Sequence, residues 1–116
     1  MRVLVADDSR IELARVRQII TQAGHDVVCE VRDGLSAVNA LDSGMAVDLC
    51  ILDVVMPYMT GDAAALAIAA AHPHVKIIFA TKNSQTALLE IAVRIGARLI
   101  IKPYREDSLM TALEAF

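Results

Sequence analysis

Asp7-Asp8, Asp53, Thr81 and Lys102 each close an apolar run at its carboxyl end. Together these types can carry out phosphoryl transfer to a carboxylate. Carboxylates confined to one crevice repel one another, which raises their pKa values unless something positive joins them. A hard divalent ion such as Mg2+ suits that crevice, because it takes one or two carboxylates, keeps several waters and shares other positions with a phosphate. Lys102 offers phosphate a compact positive charge, Thr81 a hydroxyl donor, and an aspartate the nucleophile. The chemistry is then mostly positioning and charge neutralisation. Singly, each residue has an ordinary reading. Asp7-Asp8 would be acids at a helix start, Asp53 a turn residue before Met56-Pro57, and Lys102-Pro103 a loop. Their joint placement on successive strand ends is what points to a common site.

Such placement needs strands that end on one edge. Short apolar runs rich in Val, Ile and Leu predict strands over Arg2–Ala6, Asp26–Val31, Leu49–Leu52, Lys76–Ala80 and Arg98–Ile101. Between them, helical periodicity covers about Arg10–Gln22, Leu35–Leu41, Asp62–Ala71, Ser84–Ile95 and Glu106–Ala115. Ser9-Arg10-Ile11-Glu12 has the form of a capping box, and Asn83 or Ser84 can cap the fourth helix. Gly24, Gly44 and Gly96 stand where helices should stop. Strand and helix alternate throughout, so parallel strands with right-handed crossovers give a doubly wound α/β sheet covered on both faces. Such sheets bind ligands beyond the carboxyl ends of their strands.

The chain has 116 residues, 56% hydrophobic and 22% charged, which suits one globular domain spanning 1-116 with a core of Val, Ile, Leu and Ala. A net charge of -3 and no basic run leave direct nucleic-acid binding without its electrostatic footprint. The N-terminus lacks the form of a signal peptide, and the longest apolar stretch, Ala63 to Ala71, is too short to span a bilayer. Cys29 and Cys50 lie in strand-like runs and read as buried, reduced thiols, which suits a cytoplasmic location. His25, His72 and His74 fall in loops and read as surface histidines. Nucleotide-binding glycine loops are absent.

Across essentially its whole length, from Val3-Leu4-Val5-Ala6-Asp7-Asp8-Ser9 to Ile101-Lys102-Pro103-Tyr104, the chain resembles the receiver domain of bacterial two-component response regulators. The stretch Asp53-Val54-Val55-Met56-Pro57-Tyr58-Met59-Thr60-Gly61 matches that family's D-x-x-M-P-x-M-x-G loop. The resemblance implies a flavodoxin-like fold with five parallel strands in order 2-1-3-4-5 and five helices. It implies that Asp53 accepts the phosphoryl group. Asp8 would ligate Mg2+ directly, Asp7 would help through water, and Asp53 and the backbone carbonyl of Val55 would complete the protein ligands. Lys102 would bind phosphoryl oxygens, through a bond to Pro103 that is often cis, and Thr81 would carry the signal outward. The phosphodonor would be a histidine kinase or a histidine phosphotransfer protein. A homodimer or output contact would use the helix 4–strand 5–helix 5 face.

Three features depart from the family pattern. Leu99 holds the strand-five switch position, three before the Lys, where the family usually has an aromatic residue. The segment Gly96 to Lys102 is one residue short, and Lys82 replaces the usual small residue after the Thr. Helix four is apolar on more than one face, which suits a partner surface. Two rivals stay open. An aspartyl-phosphate phosphatase or transferase would use a similar residue set but would need a cap for its substrate. A degenerate receiver would act as a phosphorylation-independent interaction module.

Overall fold

The computed structural model describes residues 1–116. Five strands, β1 (Arg2–Ala6), β2 (Asp26–Val31), β3 (Leu49–Asp53), β4 (Lys76–Thr81) and β5 (Arg98–Ile101), form one parallel sheet in the order β2-β1-β3-β4-β5. Helices α1 (Arg10–Gln22), α2 (Gly34–Asp42), α3 (Gly61–Ala71), α4 (Thr86–Ile95) and α5 (Glu106–Glu114) make the crossovers. The doubly wound order 2-1-3-4-5 is the expected one.

Side chains alternate across a strand, so each strand feeds two cores. Val3 and Val5 of β1, with Leu49, Ile51 and Ile78, pack under α1 and α5. Leu4, Ala6, Cys50, Leu52 and Phe79 point the other way, against α2, α3 and α4. Every residue of β3 is buried, as expected for the central strand of a sheet covered on both faces. Burial raises the Cys29 thiol above its ordinary pKa and pushes the more deeply placed Cys50 thiol up to about 12. No helix is long and apolar enough to cross a membrane.

The helix ends follow local chemistry, with two corrections. Ser9 caps α1 by accepting the Glu12 N–H at 3.3 Å, but the other half of the capping box does not form, because the Ser9 N–H donates to Asp7 Oδ1. Asp33 caps α2 through the Ser36 N–H at 2.7 Å, which starts that helix at Gly34. Neither Asn83 nor Ser84 caps α4, contrary to expectation. The helix begins at Thr86 behind Gln85, whose side chain makes no capping bond, so Asn83 and Ser84 lie upstream of the cap position, in a turn where the Thr81 hydroxyl binds the Asn83 backbone. Gly24, Gly44 and Gly96 all have positive φ, as their helix-stopping positions require.

Tyr58 is the one non-glycine residue with positive φ, at 64°, in a tight turn where the Met59 N–H donates to the Pro57 carbonyl at 2.7 Å. The left-handed region costs an L-residue roughly 1–2 kcal/mol, and glycine gives back part of that in backbone entropy. Tyr58 is exposed and loses little packing on replacement. Tyr58→Gly is expected to stabilise the fold by roughly 0.5 kcal/mol, read as a higher urea midpoint at unchanged m-value.

Candidate functional site

Parallel strands of similar length deliver their last residues to one edge. Ala6 of β1 pairs with Leu52 of β3, Asp53 with Ala80 of β4, and Thr81 with Ile101 of β5. Asp7, Asp8, Asp53, Thr81 and Lys102 therefore share one cavity of about 790 Å³. Two backbone bonds tie its walls together: the Lys102 N–H donates to the Thr81 carbonyl at 2.8 Å, and the Val54 N–H to the Ala80 carbonyl at 3.1 Å. Val55 and Lys82 line the same cavity, and both are exposed. The Lys102-Pro103 bond is cis.

Asp7 is the buried anchor. Its Oδ1 accepts the Ser9 N–H at 3.0 Å. Its Oδ2 accepts both Lys102 Nζ at 2.8 Å and the Tyr104 hydroxyl at 3.1 Å. Lys102 also reaches Asp53 Oδ2 at 3.2 Å, so one ammonium bridges two carboxylates. Burial and the Asp7 charge raise the Asp53 pKa, and Lys102 only partly offsets them. Burial alone would lower the Lys102 pKa, but its hydrogen bond to Asp7 and the charges of both carboxylates carry it above its ordinary value. The nest therefore holds more negative charge than its single ammonium neutralises.

That excess is what a divalent ion would relieve. One carboxylate oxygen from each of Asp7, Asp8 and Asp53 lies within 4.8 Å of the others. Asp8 is exposed, whereas Asp7 and Asp53 are buried, so the cluster opens toward solvent on one side. At the cavity wall, Glu12 Oε2 is enclosed without a hydrogen-bond partner. An acid nest with an unspent acceptor beside it fits a hydrated hard cation.

Thr81 is buried, and its hydroxyl donates to the Asn83 carbonyl at 2.9 Å while accepting the Asn83 N–H at 3.3 Å. Its oxygen is thus occupied within its own loop. Leu99 stands apart from the cavity. It lies half-buried on β5 beside Phe79 and against the α4 side of the core. The sequence does not mark Tyr104 or Glu12 as site residues, and Glu12 reads there only as a capping residue. Tyr104 looks like an ordinary core aromatic, and its only signal is a hydroxyl two residues beyond Lys102.

The family model described as response regulator receiver domain matches residues 3–114. The chemotaxis protein CheY of Thermotoga maritima is 33% identical over 113 residues, covering 97% of this chain and 93% of that one. CheY of Listeria monocytogenes is 31% identical over 115 residues, covering 98% and 96%. Among solved structures, the isolated receiver domain of RcsB from Salmonella enterica serovar Typhimurium, with phosphomimetic BeF3−, superposes with a TM-score of 0.85. It shares 29% identity, with coverage of 99% of this chain and 86% of that one.

Proposed function

The chain belongs to the response regulator receiver domain family, and on that premise we propose that it is a two-component switch phosphorylated on Asp53. The observation that carries this reading is Lys102 bridging Asp7 and Asp53 at the floor of a cavity also lined by Asp8 and Thr81. Asp7, Asp8, Asp53 and the Val55 carbonyl would hold Mg2+, which when bound neutralises charge on the phosphoryl group. The protein's own residues do the rest. An Asp53 carboxylate oxygen forms the bond to phosphorus, and the donor's bond to phosphorus breaks with its electron pair leaving on the donor. Lys102 gives up part of its hold on the carboxylates to engage phosphoryl oxygens. Thr81 exchanges its Asn83 carbonyl for one of the same oxygens. Water later cleaves the acyl phosphate, restoring the carboxylate and releasing inorganic phosphate.

Phosphorylation adds about -1.5 to -2 charge and three acceptor oxygens at the ends of β3, β4 and β5. The residues that respond, Thr81 and Lys102, lie at the ends of the strands flanking α4. The face formed by α4, β5 and α5 exposes Leu89, Val93 and Ile101, and it is the surface proposed for a dimer or output partner. A histidine kinase or histidine phosphotransfer protein would be the donor, in the cytoplasm. Self-phosphorylation and autodephosphorylation are then the only catalysis the chain performs.

Intact-mass analysis after incubation with Mg2+ and acetyl phosphate tests this. One phosphoryl group is expected on the unaltered chain, none with EDTA, and none on Asp53→Asn. No gain under conditions that modify another receiver domain would overturn the reading and leave an interaction module.

A further inference from the structure

We propose that the Tyr104 hydroxyl is a positioning group that keeps Asp7 in place while Lys102 turns from the carboxylates to the phosphoryl group. This rests on the phosphorylation of Asp53 proposed above. Tyr104 is fully buried between β5 and α5, and its hydroxyl reaches back 97 positions in sequence to Asp7 Oδ2. It shares that oxygen with Lys102 Nζ, and the same ammonium lies 5.4 Å from the centre of the Tyr104 ring. The Tyr104 carbonyl accepts the Arg15 Nε–H from α1, which pins the residue's backbone as well. Tyr104 is therefore fixed at both ends, and Asp7 is its hydroxyl's only partner.

Lys102 is the member of this group whose bonds are shared between two carboxylates, Asp7 and Asp53, and phosphoryl oxygens would compete for them. Asp7 is fully buried, so losing its ammonium would leave Oδ2 bare at a large desolvation cost. The Tyr104 hydroxyl has no competing acceptor and stays, which lowers the cost of releasing Lys102. Without it, Asp7 would retain Lys102 and withhold it from the phosphoryl group. Asp7 would at the same time carry a less neutralised charge, which favours a cation.

These two consequences run in opposite directions, and Tyr104→Phe separates them because it keeps the ring and removes only the donor. Mg2+ affinity is measured by calorimetry, and the phosphorylation rate from acetyl phosphate at saturating Mg2+ by intact mass. The expected result is Mg2+ binding as tight as in the unaltered chain, or tighter, with phosphorylation roughly tenfold slower, the scale of one hydrogen bond to a charged group. An unchanged rate would overturn the inference. So would a parallel loss of Mg2+ affinity and rate, which marks general distortion of the site. A chain that accepts no phosphoryl group even with Tyr104 intact refutes the proposed function itself, whereas an active chain indifferent to Tyr104→Phe refutes only this inference.

Discussion

Lys102→Met is expected to destabilise the protein by about 3 kcal/mol when Mg2+ is chelated, because it strips the shared cation from two buried carboxylates. The Lys102 side chain is 8% exposed and that of Asp7 fully buried, so water replaces only part of what is lost. Added Mg2+ should restore part of the stability, since a divalent ion answers the same excess of negative charge. Denaturant titration with EDTA and with Mg2+ reads both effects. The phosphorylation rate should fall about 10²-fold, the scale for removing one preorganised stabiliser of transition-state charge. The pH dependence has a definite sign. Lys102 titrates higher in the fold than its ordinary value of 10.5, so its stabilisation is fully present below that pH and lost as pH rises through the folded value. Asp53 is also raised, so its ionised form opposes folding at neutral pH, and Asp53→Asn should not lower stability there.

Gly61→Ala should be nearly as damaging, through a different route. A Cβ at Gly61 would run into the carbonyl oxygen of Asp53, with the Asp53 carbonyl carbon at 2.8 Å and the Val54 Cα at 3.0 Å. All of these are backbone atoms, so no rotamer change relieves the clash. Gly61 is buried, and its N–H donates to the Val54 carbonyl at 2.8 Å, which holds the start of α3 against the end of β3. The methyl group must push one element from the other at a cost of about 3 kcal/mol. The residue displaced first is the proposed phosphoacceptor. We expect a lower denaturation midpoint and, among molecules that remain folded, a reduced rate of phosphorylation. A fully active Gly61→Ala protein would show that the β3–α3 junction has more slack than these distances allow.

The sheet was legible because its strands are nearly continuous apolar runs, and the site was legible because each polar residue breaks such a run. β3 and β4 each extend one residue beyond their expected ends, to Asp53 and Thr81. A polar side chain ends an apolar pattern without ending the backbone ladder. The start of α4 was misplaced for a related reason. Asn83 and Ser84 have capping chemistry, but sequence does not show that the Thr81 hydroxyl holds the Asn83 backbone in a turn and that the helix starts only at Thr86. The Tyr104–Asp7 bond was out of reach, because the two residues lie at opposite ends of the chain and only the closed sheet brings them together. The exposed apolar face of α4 came out as its pattern suggested. Leu88 and Ala92 are buried, while Leu89 and Val93 face outward.

The two natural cysteines make this protein convenient for spectroscopy. Thiol reagents react with thiolate, and Cys50 is buried with its pKa pushed up to about 12, while Cys29 is half-buried and also raised. A cysteine introduced at Val93, which is 83% exposed on α4, would be alkylated well ahead of either. A fluorophore could thus be placed on the proposed output face, and its signal followed in real time as acetyl phosphate is added, without first deleting the native thiols.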